Sequence, residues 1–253
     1  MASELPIALD GVSKAFAVDG RVVQAVRDVS LVADYQEFVT LIGPSGCGKS
    51  TLLNLICGLM QPDAGEISLY GRNDGSRLGR VGYMPQKDLL LPWRKVLDNI
   101  ILGPEVMGRD RRAARREAKA LLPLFGLEGF EDAYPSALSG GMRQRAALMR
   151  TFLCKQEIIL LDEPLGALDA LTRRTMRRWL TDVWAKFRQT VIFVTHDVDE
   201  AIFLSDRIYV LSPRPGHVMC ELTVDIPRPR DEHLASEPPF ATYREQILST
   251  LGL

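Results

Sequence analysis

The sequence predicts an α/β fold with a mostly parallel sheet, an N-terminal antiparallel β lobe and an inserted helical segment. Three observations carry that prediction. Apolar runs of strand length at Phe38 to Ile42, Ile158 to Leu161, Val191 to Val194 and Ile208 to Leu211 alternate with segments of helical periodicity, the pattern of a parallel sheet covered on both faces. The stretch from Ile7 to about Val32 instead has short Val-rich alternation around Asp19-Gly20, a dipeptide that favours a tight hairpin turn. From Leu97 to about Leu124 the chain turns helical and rich in Arg and Ala, between two glycine-marked motifs.

Composition sets the frame for these elements. The chain has 253 residues, 46% hydrophobic and 25% charged, with a formal net charge of -1, enough apolar content for a sizeable core. The balanced charge argues against a basic nucleic-acid binder and leaves small charged ligands open. Cys47, Cys57, Cys154 and Cys220 have no metal-site or disulfide spacing, which fits a reducing compartment. The start, MASELPIALD, lacks a basic and then apolar leader, and no stretch approaches the roughly 20 apolar residues that cross a bilayer. A membrane role is therefore expected to come through a partner. Past Leu211, Pro213, Pro215, Pro227, Pro229, Pro238 and Pro239 favour extended, turn-broken chain, with a short docking helix expected over Tyr243 to Leu251.

The strongest chemical signal is Gly43-Pro44-Ser45-Gly46-Cys47-Gly48-Lys49-Ser50, followed by Thr51. It matches G-x-x-x-x-G-K-[ST] and lies between an apolar strand and a helix-like run, the context a phosphate cradle requires. Glycines let the backbone wrap phosphate oxygens, and the N–H groups with the helix N-terminus supply partial positive charge. In such a cradle Lys49 bridges the outer phosphates and Ser50 ligates Mg²⁺. A second signal is Asp162-Glu163, two carboxylates leaving the buried Ile158 strand at the sheet edge where α/β proteins bind ligands. Asp162 suits a Mg²⁺ shell, and Glu163 suits a general base that polarises a water against the γ-phosphate. The bland alternative makes Asp162 a helix cap and Glu163 a solvated acid.

These two motifs alone do not separate a kinase, a GTPase and a transporter motor. The third, Leu138-Ser139-Gly140-Gly141-Met142-Arg143-Gln144, resembles the LSGGQ signature of ABC ATPases, with Met142 in place of the usual Gln and Gln144 retained. On its own it reads as a helix N-cap with a second anion site: a hydroxyl, bare N–H groups and a helix dipole. The resemblance spans nearly the whole chain. It implies an ABC ATPase fold with a P-loop NTPase core, in which Ser139, Gly140 and Gly141 face the γ-phosphate bound by another subunit. It further implies that Phe16 stacks on adenine, that Gln86 contacts Mg²⁺ and the attacking water, that Ala167-Leu168-Asp169 is the D-loop, and that His196 is the switch histidine. An aromatic in a β lobe is more often core, and a histidine at a strand end more often structural.

Several further expectations follow from that resemblance. The chain is one domain over 1–253, with a β lobe at about 1–35, the core at about 36–85 and 155–215, the helical subdomain at about 87–154 and an extension at about 216–253. ATP and Mg²⁺ are its cofactors. Its partners are a second copy of itself, transmembrane permease subunits and, indirectly, a solute-binding protein, at the cytoplasmic face of the cell membrane and without nucleic acid. Gly82 to Arg94, Tyr134-Pro135 and Leu211 to Gly216 look like bacterial import ATPases of the nitrate, sulfonate and taurine group, which also handles pyrimidine precursors. In that family the segment from Gln86 to Trp93 and Arg94 receives the membrane subunit. The cargo is not written in these residues. A non-transport ABC ATPase acting on nucleic acid or the ribosome is the alternative, and such relatives carry a coiled-coil insertion or tandem cassettes. An ATP-sensing module without turnover fits less well, because Glu163 and His196 are intact. The pairs Arg111-Arg112, Arg115-Arg116, Arg173-Arg174 and Arg177-Arg178 read as solvated helix faces.

Overall fold

Two sheets organise the chain in the computed structural model, which describes residues 5–73, 76–166 and 168–253. The order begins β1 (Ile7–Val18), β2 (Arg21–Ala33), β3 (Phe38–Ile42), α1 (Lys49–Ile56), β4 (Ala64–Leu69) and β5 (Gly82–Met84). Four helices follow: α2 (Val96–Ile100), α3 (Leu102–Val106), α4 (Arg111–Phe125) and α5 (Gly140–Phe152). Then come β6 (Ile158–Asp162), α6 (Ala170–Phe187), β7 (Thr190–Thr195), α7 (Val198–Leu204), β8 (Arg207–Leu211), β9 (Val218–Thr223) and α8 (Pro238–Leu251). The large sheet has the order β5-β6-β7-β3-β8-β9, parallel except for the antiparallel edge strand β9.

Continuous apolar runs form its central strands because both faces are covered. Phe38, Ile159, Leu161, Val191, Phe193, Ile208 and Val210 pack with the helices α2 and α4 to α8. Their alternates Val39, Leu41, Ile158, Leu160, Ile192, Val194, Tyr209 and Leu211 pack with α1 and the N-terminal lobe. A one-residue register slip would exchange the two cores, so the register is tightly set.

In the lobe, β1 and β2 form the expected hairpin. Asp19 (φ 48°) and Gly20 (φ 75°) both take left-handed backbone between the paired Val18 and Arg21, as a twist-matched two-residue turn demands. The third lobe strand, β4, lies within the span expected for the core and pairs with β1 instead. It alternates only at Ile67 and Leu69, too short a period to read in sequence. Gly65 (φ 80°) lets it approach β1, since a Cβ there would lie 2.4 Å from the Gly11 carbonyl.

The C-terminal extension also departs from expectation. Strand β9 forms within the proline-rich stretch, and α8 starts five residues before Tyr243 because Pro238 and Pro239 occupy its first turn, where no N–H has a helical partner. The arginine pairs are solvated in part: Arg111, Arg112, Arg116, Arg174 and Arg178 are exposed as expected, whereas Arg115, Arg173 and Arg177 are half-buried. Arg111 and Arg115 both pair with Asp98, Arg173 pairs with Asp197 and Glu200, and Arg177 stacks over Phe203.

One side chain ties the extension to the core. Arg230, 5% exposed, donates to the carbonyls of Ile202, Phe203 and Ser205 at the end of α7 and of Val224 and Ile226 in the returning chain. Burial and the neighbouring Arg228 push its pKa down to about 10, still well above neutral. A cation at a helix C-terminus is favoured by the dipole, and five carbonyls take the place of water. Arg230→Ala orphans those carbonyls and is expected to cost about 3 kcal/mol in urea unfolding. Arg230→Lys should recover under half of that, since an ammonium lacks the planar fork. An unchanged urea midpoint for the alanine variant would refute this account.

Candidate active site

Five adjacent parallel strands end on one edge, and each delivers a residue to the same cleft of about 440 Å³. Gln86 follows β5, Glu163 follows β6, His196 follows β7, the 43–51 loop follows β3 and Arg214 follows β8. Phe16, Val18, Val23 and Ala25 of the lobe form the facing wall. The structure thus gathers Phe16, Ser45, Gly46, Gly48, Lys49, Ser50, Thr51, Gln86, Glu163 and His196, read from separate parts of the sequence.

The loop's shape comes from its neighbours as much as from any ligand. A Cβ on Gly43 would lie 2.8 Å from the Leu211 carbonyl, and one on Gly48 (φ 104°) would lie 2.4 Å from Val26 Cγ1. Gly43, Pro44 and Cys47 therefore shape the loop from behind, while Ser45, Gly46 and residues 48–51 line the cleft. Lys49 is buried at the start of α1 and donates to the Gly43 and Pro44 carbonyls at 2.7 and 3.0 Å, so its charge is satisfied at the loop's centre.

Asp162 ends β6 at 3% exposure, and it caps no helix; Asp169 caps α6. Burial raises its pKa and Glu163 adds to the rise, while the Ser50 hydroxyl and Lys49 ammonium oppose it. Its Oδ1 has no partner among the described residues. A buried carboxylate with a spare oxygen beside a serine hydroxyl is a donor set that suits a small hard cation such as Mg²⁺.

Glu163 occupies left-handed backbone (φ 46°), which costs a non-glycine residue about 1–3 kcal/mol. Its N–H donates to the Val194 carbonyl at 3.0 Å, and this bond to the neighbouring strand holds the turn. The strained turn places its carboxylate where Gln86 Nε2 donates to Oε2 at 3.2 Å and His196 Nδ1 lies 3.4 Å from the same oxygen. Behind His196, Thr195 Oγ1 donates to Glu200 at 2.6 Å and accepts from the Asp197 N–H at 3.1 Å. Burial pushes the Glu200 carboxyl up to about 7. Arg173 joins Asp197 and Glu200 to the Leu168 carbonyl, linking the His196 turn to the chain after the acid pair.

Besides Gly43, Pro44, Cys47 and the buried Asp162, two further predicted groups do not line the cleft. Ser139 caps α5, its Oγ accepting from the Met142 N–H at 3.2 Å; Ser139 and Gly140 are exposed and Gly141 half-buried. Asp169 accepts from the Leu171 and Thr172 N–H groups as a helix cap, and Ala167 lies outside the described residues. Sequence reasoning missed the lobe wall beyond Phe16, the Arg173 links and Arg214. Arg214 stood in a stretch read only as a branch marker.

The ABC transporter family model matches residues 26–166. An uncharacterized ABC transporter ATP-binding protein of Methanocaldococcus jannaschii is 42% identical over 98% of this chain and 92% of its own length. The taurine import ATP-binding protein TauB of Rhizobium johnstonii is 43% identical over 92% of this chain and 90% of its own. Among solved structures, an ATP-binding cassette dimer in a post-hydrolysis state with ADP and phosphate superposes with a TM-score of 0.75, at 30% identity, over 87% of this chain and 99% of that one. The family model covers more than half of the chain and these relatives nearly all of it: the chain belongs to the ABC transporter family, as an ATP-binding and ATP-hydrolysing cassette subunit.

Proposed function

We propose that this subunit drives a bacterial importer of a small organic solute, of the class that includes taurine, sulfonates and pyrimidine precursors, from the cytoplasmic face of the membrane. Support comes from relatives of similar length named for such import and from the lack, among the described residues, of any helix able to span a bilayer. Permease subunits carry the transmembrane path in this reading, and a solute-binding protein delivers the cargo.

The observation that carries the catalytic part is Glu163, fixed between Gln86 and His196 at the edge of the phosphate loop. Glu163 acts as general base on the attacking water, His196 holds the γ-phosphate end, and Gln86 orients the water. Lys49 and the 45–51 backbone bind the phosphates, and Phe16 packs on the base. Ser50, Asp162 and Gln86 would hold Mg²⁺, which when bound neutralises charge on the transferred phosphoryl group.

Ser139, Gly140 and Gly141 complete the site from a second copy. In support, they lie outside their own chain's cleft. The chain's own packing does not demand these glycines either: a Cβ at 140 or 141 would meet nothing closer than 3.5 Å. Space there serves a ligand or a partner. Asp169, at the same end of α6, would sit at that interface.

Coupling to the permease runs through residues 86–94. Trp93 is 72% exposed and Leu89 is exposed beside it, whereas Leu90 is buried. Arg150 of α5 donates to the Asp88 and Leu89 carbonyls, and Arg143 pairs with the Asp88 carboxylate at 3.3 Å. A push on Trp93 therefore reaches both Gln86 and the signature helix.

Glu163→Gln keeps the side chain's shape and should retain ATP binding while turnover falls roughly 10²- to 10⁴-fold. The nucleotide-bound dimer should then persist on size exclusion; normal turnover would remove Glu163 from the mechanism. Trp93→Ala, read by co-purification with the permease and by transport, should weaken assembly at least tenfold while basal ATPase stays near wild type. Intact assembly and transport would move the interface elsewhere.

A further inference from the structure

The stretch from Leu211 to Gly216 brings a second cation into the cleft. Arg214 lines it with Ser45, Gly46 and Lys49, and its Nε donates to the Gly46 carbonyl at 3.1 Å. Among the described residues no carboxylate pairs with this guanidinium, which leaves its terminal donors free for a ligand.

The backbone beneath it is pinned from three sides. Gly216 donates to the Ala25 carbonyl and accepts from the Arg27 N–H, both at 2.9 Å, which ties the turn to the lobe. A Cβ on Gly216 would lie 2.0 Å from the Cys47 carbonyl, so the turn is pressed against the phosphate loop itself. Ser212, buried at the end of β8, closes the turn internally: its Oγ accepts from the His217 N–H at 3.0 Å and lies 2.8 Å from His217 Nδ1. A long flexible side chain on a fixed turn loses less freedom when it engages a ligand.

We propose that Arg214 is a nucleotide-binding residue, bracing the loop through Nε while its terminal nitrogens donate to phosphate oxygens of the bound nucleotide. The proposal rests on the reading of the cleft as the ATP site. Arginine suits the task because its planar fork can hold a carbonyl through Nε and present two further, parallel donors to a phosphate, a bidentate geometry an ammonium lacks. Its exposure limits the effect. Lys49 is buried and central, whereas Arg214 acts through solvent-screened charge, so its loss should cost about tenfold in affinity rather than abolish binding.

The test is displacement of N-methylanthraniloyl-ATP from the full-length chain by ATP, ADP and adenosine, for wild type, Arg214→Ala, Arg214→Lys and Lys49→Ala. Arg214→Ala should weaken ATP or both phosphorylated ligands roughly tenfold, leave adenosine unchanged and flatten the salt dependence. KM should rise with kcat near wild type, and Arg214→Lys should recover part of the affinity. A loss confined to ATP assigns the contact to the γ-phosphate; a loss shared with ADP assigns it to the inner phosphates. Wild-type ATP affinity in Arg214→Ala, with Lys49→Ala impaired, would overturn the proposal and leave the ATP cleft standing. An equal loss for adenosine would likewise overturn it, as would an unchanged salt dependence with no recovery by lysine. Wild-type affinity in both alanine variants would instead sink the reading of the cleft.

Discussion

Parallel strands all end at the same edge of a sheet, roughly 4.8 Å apart, and this chain's chemistry depends on which strands are neighbours there. The order β5-β6-β7-β3-β8 sets Gln86, the acid pair, His196, the 43–51 loop and Arg214 side by side although Gly43 and Arg214 stand 171 positions apart in sequence. That order exists only because every central strand is apolar on both sides, so helices cover one face and α1 with the β lobe cover the other. Phe38 and Val39, adjacent in sequence, belong to different cores. The lobe therefore has two jobs: it closes one core and supplies the wall that carries Phe16.

Glycines in the three motifs answer different forces. At Gly43, Gly48 and Gly216 a methyl group would strike Leu211, Val26 or Cys47, because β8, the lobe and the phosphate loop converge on one small volume. Those positions are set by the fold before any nucleotide arrives. Gly140 and Gly141 meet no such obstacle, so the packing of their own chain does not account for their bareness. Glu163 presents the reverse case, a residue with a Cβ held in backbone that suits glycine. Glycine would relieve the strain but remove the carboxylate; the Val194 carbonyl and the packed strand instead hold the acid in place.

Much of this was legible in sequence. The four central strands were read to within one residue at either end, since continuous apolar runs have few other uses, and the Asp19-Gly20 hairpin followed from turn chemistry alone. Strand β4 was not legible, because two buried alternations in six residues are no pattern. Nor was β9, whose half-buried edge position leaves a mixed sequence among prolines that signal turns. At the site, residues within a motif were visible through spacing, whereas Val23, Ala25 and Arg214 enter the cleft only through tertiary approach. Arg173 was read as part of a solvated charge run; nothing local shows that it joins Asp197, Glu200 and the Leu168 carbonyl.

The same contacts link the proposed permease-facing surface to the cleft. Asp88 lies two residues from Gln86 and is gripped by Arg143 and Arg150, both on the helix that Ser139 caps. Burial lowers the Arg150 pKa, and the bonds to Asp88 and Leu89 offset the cost of holding that cation in the interface. The 86–94 segment is thus tied to α5 through Asp88 and Leu89, and to the sheet through β5 and the Gln86–Glu163 bond. If Ser139 completes a second copy's site, as proposed, a rotation of the helical segment would carry it toward or away from that site and strain the Gln86–Glu163 bond in the same motion. Hydrolysis geometry and partner contact would then change together, which is what a motor driven by closure requires.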